Sequence, residues 1–347
     1  MASATLPLQA LLALFMVQAA TAAEPVPLPQ VRPEAGVHTD KPIDTPLPQP
    51  ATTAEPPPLP SIDAINPDRF GGKPADQAYG AFQRGLYKTA YDLALPRAQN
   101  GDAAAQTLLA EILSRGLGVP QNAAEAAKWY ALAAEQGVPE SQFQYALMLL
   151  DGRYVKKDEK GAYALMQAAA EAGNPLAQFN FAQLLVQQDP GDVGIGKAVP
   201  YYERAAATGL ADAQYAMAQI YANGVGGKTR DDAQARRLLT LAARQNYDTA
   251  QIDLGAWMIE GRGGARDMKS GFGWMKQAAE GGNVAARNRL AKLYMNGIGT
   301  DPDLILAGAW YIVARRAGLI DPDMDNFLQG LSDDQTKQAL QRANRLP

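Results

Sequence analysis

The 347 residues contain no cysteine and a single histidine, His38. The first absence excludes disulfide staples, thiolate metal sites and a lipid-anchored lipoprotein terminus. The second removes histidine-based triads and histidine-rich metal sites from everything beyond residue 74, because His38 falls in a proline-rich stretch. Charge of one sign is missing too. Lys and Arg number 32 against 36 Asp and Glu, a net charge of −4 with both signs dispersed. That balance argues against nucleic acid and against a strongly anionic membrane as partner. No Asp-x-Asp-x-Asp-Gly calcium loop occurs; Asp301-Pro302-Asp303 and Asp321-Pro322-Asp323 read as turn initiators. Gly224-Val225-Gly226-Gly227-Lys228-Thr229 is too short from its first glycine for a phosphate loop, and no strand precedes it. The reading is of no catalytic residue, no metal ligand and no cofactor.

What is present begins with an export signal. Leu6 to Val17 is an apolar run of the right length, and Ala20-Thr21-Ala22 supplies a cleavage pattern, although no Lys or Arg precedes the run. The run is short for a membrane span, so removal of residues 1–23 is expected, with no stable membrane insertion afterwards. Residues 24–74 hold 14 of the 24 prolines and almost no apolar periodicity. Such a stretch buries too little surface to offset chain entropy and is expected to be a disordered, extended linker.

From residue 75 onward the chain repeats itself. The motif Ala-Ala-x-x-Gly recurs at Ala133-Ala134-x-x-Gly137, Ala169-Ala170-x-x-Gly173 and Ala205-Ala206-x-x-Gly209. It continues at Ala242, Ala243, Asn246 and at Ala278, Ala279, Gly282, and decays at Val313, Ala314, Gly318. A period of 36 or 37 residues means a stacked array, because one unit cannot bury its own apolar face. Ala, Leu and Gln dominate, which favours helices. Each unit reads as two. In the unit from Asp248 to Asn283 the first helix is expected over Thr249 to Glu260, with Leu254, Trp257 and Met258 buried. The second is expected over Met268 to Glu280, burying Trp274 and Ala278.

The punctuation recurs as well. Second helices are expected to be capped at Asn122, Asp158, Gly194, Asp231, Asp267 and Asp303. First helices close at Gly116, Gly152, Gly224, Gly261 and Gly297, with Gln188 breaking the column in the third unit. A large residue recurs in the second helix at Trp129, Leu165, Tyr201, Leu238, Trp274 and Trp310. A small–polar pair recurs in the first: Ala105-Gln106, Ser141-Gln142, Ala177-Gln178, Ala213-Gln214, Ala250-Gln251 and Ala286-Arg287. The alanine columns allow helix axes to approach closely. The expected organisation is an opening helix pair over 75–101, repeats over 102–319 and a C-terminal cap over 320–347, with Ser332-x-x-Gln335 as a capping box.

These columns resemble the Sel1-like repeat, a relative of the tetratricopeptide repeat, of the exported bacterial type. Phrases such as Tyr221-Ala222-Asn223-Gly224, Leu254-Gly255 and Ala127-Lys128-Trp129-Tyr130-Ala131-Leu132-Ala133-Ala134-Glu135-Gln136-Gly137 carry the match over about residues 102–319. The resemblance implies an all-α, right-handed α-solenoid of helix-turn-helix repeats, with the first helices lining a concave face. Relatives connected with β-lactam binding are rich in cysteine pairs, which this chain lacks.

If the first helices line that face, two columns point inward. One reads Thr107, Phe143, Phe179, Tyr215, Ile252 and Asn288; the other, four residues on, reads Glu111, Leu147, Gln183, Gln219, Ala256 and Lys292. Phe143, Leu147, Phe179, Gln183, Tyr215, Gln219 and Ile252 are therefore the candidate partner-binding residues, as aromatic anchors flanked by amides. The same aromatics equally suit packing between neighbouring units. The function expected is that of a non-enzymatic adaptor or regulator, exported to the periplasm, which binds a protein or peptide of the envelope. By family analogy it would modulate a sensor kinase. An assembly factor binding peptidoglycan enzymes or glycan is the alternative, and a cell-wall hydrolase a more distant one.

Overall fold

The structure, a computed structural model, describes residues 76–347. The expected signal over residues 1–23, the linker over 24–74 and His38 lie outside the described residues. Among the described residues there are sixteen α-helices and no strand. α1 (Gln77–Gln83) and α2 (Tyr87–Gln99) open the array. Six helix pairs follow: α3 (Ala103–Arg115) with α4 (Ala123–Glu135), α5 (Pro139–Asp151) with α6 (Glu159–Glu171), and α7 (Pro175–Gln188) with α8 (Asp192–Ala207). Then come α9 (Ala211–Asn223) with α10 (Asp232–Arg244), α11 (Asp248–Glu260) with α12 (Met268–Glu280), and α13 (Val284–Asn296) with α14 (Leu304–Arg316). α15 (Pro322–Gln329) and α16 (Asp333–Ala343) complete the chain. Through α14 each helix packs chiefly on its neighbours in sequence, the arrangement of an α-solenoid, and α16 then folds back onto α14.

Local rules set the ends of these helices. Asn122, Asp158, Asp231, Asp267 and Asp303 each accept a hydrogen bond from a backbone amide of the first turn that follows. Gly116, Gly152, Gly224, Gly261 and Gly297 close the first helices in the left-handed conformation. The third pair departs from the expected cap. α8 starts at Asp192 behind Gly191, so Gly194 lies inside its first turn rather than at its cap. The loop before it is short, and the helix extends backwards to fill the space. A side chain at position 194 would stand 1.9 Å from the Asp189 carbonyl oxygen.

The helix turns use a device that joins two of the repeating columns. In each Ala-Ala-x-x-Gly motif the second alanine carbonyl accepts from the amide three residues on, as Ala134 does from Gly137 and Ala243 from Asn246. The same carbonyl also accepts from a side chain eight residues on. Gln106 Nε2 donates to Ala98 O at 3.1 Å, Gln178 to Ala170 at 3.1 Å and Gln251 to Ala243 at 3.1 Å. Gln142 and Gln214 do so at 3.4 Å, and Arg287 Nε takes the role at 3.2 Å in the last pair. The recurring polar residue is a clamp that ties each first helix to the end of the helix before it.

The core is built on alanine. Ala110, Ala146, Ala182, Ala218 and Ala291 of the first helices are buried, as are Ala126, Ala162, Ala198, Ala235 and Ala307 of the second helices. In the fifth pair glycine replaces both, and the backbones of Gly255 and Gly271 meet directly. The expected large-residue column needs correction. Trp129, Leu165, Tyr201, Leu238 and Trp274 are only half-buried, and Trp310 alone is buried. The core position is one residue later: Tyr130, Met166, Tyr202, Leu239, Met275 and Tyr311. One residue is a 100° turn of helix, and these helices are flanked on two sides, so both columns are apolar. In the first helix of the fifth pair Leu254 and Trp257 are buried as expected, whereas Met258 is half-buried.

Candidate partner-binding face

Along each first helix from α5 to α13 one stripe stays open to solvent, with the spacing i, i+4, i+7, i+11. It reads Glu140, Gln144, Leu147, Asp151 on α5; Leu176, Asn180, Gln183, Gln187 on α7; and Asp212, Ala216, Gln219, Asn223 on α9. All of these are half-buried or exposed. The candidate residues divide between this stripe and the layer beneath it. Leu147, Gln183 and Gln219 lie half-buried on the stripe. Phe143, Phe179 and Tyr215 are each 4 % exposed and Ile252 6 %, so these four belong to the packing between helices. Phe179 rests against Tyr202 at 5.7 Å between ring centroids, and Tyr215 against Tyr247 at 5.1 Å. Thr107 and Asn288, at the two ends of the same column, are half-buried. Thr107 Oγ1 lies 2.8 Å from Ser141 Oγ of the next pair.

A polar cluster ties the fourth and fifth pairs together at the stripe. Asp253 of α11 accepts from the Tyr215 hydroxyl at 3.0 Å and from Gln219 Nε2 at 3.1 Å. Burial pushes the Asp253 carboxyl above the usual carboxylate range, and the two hydrogen bonds oppose that shift. Arg289 and Arg262 also favour its charged form, but neither forms an ion pair with it. Asp212, half-buried at the head of α9, is likewise pushed up by burial. Burial, together with the fields of Asp212, Asp248 and Asp253, raises the Tyr247 hydroxyl to about 12. Three carboxylates thus converge near one phenol. By contrast, Glu140 on α5 is engaged by Gln144 and by Asn174 of the next pair, and Glu111 on α3 by Arg115 and the Tyr130 hydroxyl.

Among the described residues no group of three or more His, Cys, Asp or Glu is placed to hold a metal ion, and no helix is long and apolar enough to cross a membrane. The arrangement is one of neutral amides and partly desolvated carboxylates on a rigid array of helices. Sequence reasoning missed Asp253, Asp212 and Tyr247. Asp253 lies one residue past the Ile252 column, and its burial comes from Tyr215 and Gln219, a full repeat away in sequence.

The Sel1 repeat model matches residues 103–138, 139–174, 211–247, 249–283 and 284–319, more than half of the chain. This chain belongs to the Sel1 repeat family. The pair formed by α7 and α8 has the helices of a repeat but no match to the model, in keeping with its shortened loop and lengthened second helix. A Sel1 repeat protein from Oxalobacter formigenes is 26 % identical, with 72 % of this chain and 100 % of that chain covered and a TM-score of 0.59. The c5321 protective antigen of uropathogenic Escherichia coli, described as displaying an SLR fold, is 27 % identical over 75 % of this chain and 64 % of that chain, with a TM-score of 0.53. Among curated proteins, chitin synthase regulatory factor 3 of Schizosaccharomyces pombe is 27 % identical over 74 % of this chain and 28 % of its own length. The chitin synthase regulator SKT5 of Saccharomyces cerevisiae is 26 % identical over 67 % of this chain and 35 % of its own length. The chain therefore spans about a third of the length of these curated relatives.

Proposed function

We propose that this Sel1 repeat protein is a non-enzymatic regulator or adaptor that holds a protein partner against its first-helix face. The open stripe of α5, α7 and α9 is the observation that carries this reading: it runs across successive repeats, and its central residues Gln183, Gln187, Gln219 and Asn223 include no charge. Stacked repeats turn such stripes into one continuous surface, the use to which solenoids are put. Two relatives named as regulators of chitin synthase support a regulatory role in which the repeats act on another protein. The amino-terminal 23 residues support export, which would place the partner in the bacterial envelope, as a sensor kinase domain or as an enzyme of the wall.

The buried rings are poor places to test this, because substituting them disturbs packing first. Leu147→Arg with Gln183→Arg alters two half-buried positions of the open stripe and replaces none of the buried rings. The full chain is used to capture a partner from the cells that make it, beside this double variant with a matched thermal midpoint. A partner retained by the first and lost by the second supports the face; equal retention by both sinks it. Fractionation of the same cells tests location: a chain shortened by 23 residues in the periplasm is the expected result.

A further inference from the structure

We propose that the middle of the first-helix face receives an extended peptide, uncharged along its centre and carrying a lysine or arginine at the end that lies over α11. This rests on the reading that a partner occupies that face, and it names the kind of segment that fits. The first argument is the chemistry of the stripe. Gln183 and Gln187 are half-buried and exposed, and their carboxamides engage no other described residue. Asn180 and Asn223 each donate to a carbonyl of their own helix, Leu176 O and Gln219 O, at 2.8 and 2.9 Å, which orients the side chain and leaves its oxygen free. A carboxamide offers a donor and an acceptor together, the complement of a peptide group. The apolar side of an amphipathic helix would leave these groups dry and unpaired, at a penalty of about 1–3 kcal/mol each. The aromatic floor such a helix would need is already covered, since Phe143, Phe179 and Tyr215 are buried.

The second argument is spacing. Successive first helices also meet directly, α3 and α5 at Thr107 and Ser141 and α9 and α11 at Gln219 and Asp253, and helices in contact lie about 8–10 Å apart. A chain in the polyproline II conformation rises ~3.1 Å per residue and presents the same side every three residues, or about 9 Å. One contact per repeat is therefore met by every third residue, on one side of the peptide. That conformation makes no internal hydrogen bonds, so its amides and carbonyls are free for the carboxamides of α7 and α9.

The third argument is charge. The stripe runs on from α9 to α11, where Asp212 of α9 and Asp253 of α11 are half-buried and have no ion-pair partner, although the fields of Arg289 and Arg262 also favour the charged form of Asp253. Withdrawal from water makes their ionised forms unfavourable. A cation brought to them would relieve that cost, with the Tyr215 and Tyr247 rings beside it. On α5, by contrast, Glu140 is already satisfied by two amide donors.

The test uses the full chain and a displayed library of random 12-residue peptides. Selected peptides are synthesised with a fluorophore and titrated by anisotropy against the parent chain, Gln183→Ala with Gln219→Ala, and Asp253→Asn, each checked for an unchanged or higher thermal midpoint. The expected peptides are extended in solution, poor in acidic residues and carry one basic residue toward one end. Their Kd should weaken tenfold or more in the double glutamine variant. It should weaken similarly in Asp253→Asn, but only while the peptide keeps its basic residue. Peptides that bind all three proteins equally would overturn the inference and leave the broader reading to the capture experiment with Leu147→Arg and Gln183→Arg. Selection of acidic or helical peptides, or of none, would overturn it as well.

Discussion

The loops of the fifth and sixth helix pairs and those of the second and third join the same two helices in different ways. In the fifth pair the second loop glycine, Gly263, lies against the backbone of α10, so that a side-chain carbon there would stand 2.2 Å from the Asp232 carbonyl oxygen. Gly299 of the sixth pair meets Met268 O of α12 at 2.1 Å in the same way. The fifth loop adds a charged bolt. Arg262 donates to Asp232 at 2.9 Å and to the Ala222 carbonyl at 3.2 Å, and its guanidinium lies 3.7 Å over the Trp257 ring. In the second and third pairs Tyr154 and Pro190 occupy the glycine's place. The ion pairs there stay local: Arg153 with Asp151, Lys157 with Glu159 and Lys197 with Asp189. The loops of the second and third pairs therefore lack this backbone-on-backbone lock, which the fifth and sixth add to helix packing and side-chain clamps. In a nearest-neighbour array such locks set how cooperatively adjacent units open.

The largest effect should come from filling the close contacts. Gly299→Ala or Gly263→Ala forces a methyl against a carbonyl in a left-handed turn and should cost about 3 kcal/mol or more, a fall of roughly 6–12 °C in thermal midpoint for a domain of this size. Tyr154→Gly, which makes the second loop resemble the others, should move the midpoint by about 1 °C or less, since Tyr154 is half exposed. Equal responses from the two loops would break the comparison.

A smaller effect is expected from Arg262→Ala, about 2 kcal/mol, measured by urea unfolding. Hydrogen bonds from Arg230 and Arg262 hold the Asp232 carboxyl down at about 2. A carboxyl lowered by folding contributes stability that is fully present above its unfolded value near 3.8 and is lost as the pH falls toward 2. Asp232 is partly exposed, so this contribution is about 1–2 kcal/mol. The parent chain should lose it between about pH 4 and pH 2. The variant should show a flatter profile in that window, and an unchanged profile would remove the ionic part of the lock.

The smallest effect concerns Asn246, the non-glycine residue with positive φ among the described residues, at 62° where the other repeats carry glycine. Asn246→Gly should gain at most about 0.5 kcal/mol, because its Oδ1 accepts from Gln277 at 3.1 Å and that bond is lost. Asn246→Ala should lose about 1 kcal/mol, which places this turn among the mildly strained joints rather than the locked ones.

Much of this architecture is legible in the residues. Caps such as Asp231 and Asp267, and closers such as Gly224 and Gly261, act within one turn of chain, where residue type alone decides geometry. The role of Gln106, Gln178 and Gln251 was hidden, because a bond reaching eight residues back exists only after the intervening turn has formed. The Trp274 and Met275 columns could not be told apart, since a helix packed on two sides is apolar over most of its circumference.

The period of 36 or 37 residues, the all-helical class and the punctuation were determined by the sequence itself, because helix capping and apolar spacing are local rules repeated often enough to leave one interpretation. Tertiary structure decided depth. Stacking the repeats put Phe143, Phe179 and Tyr215 under their neighbours and left Leu147, Gln183 and Gln219 in the open stripe, and it brought Tyr215, Gln219 and Asp253 together across repeats. Burial and electrostatic environment depend on which surfaces meet in space, and residues a full repeat apart in the chain become neighbours only once successive repeats have stacked.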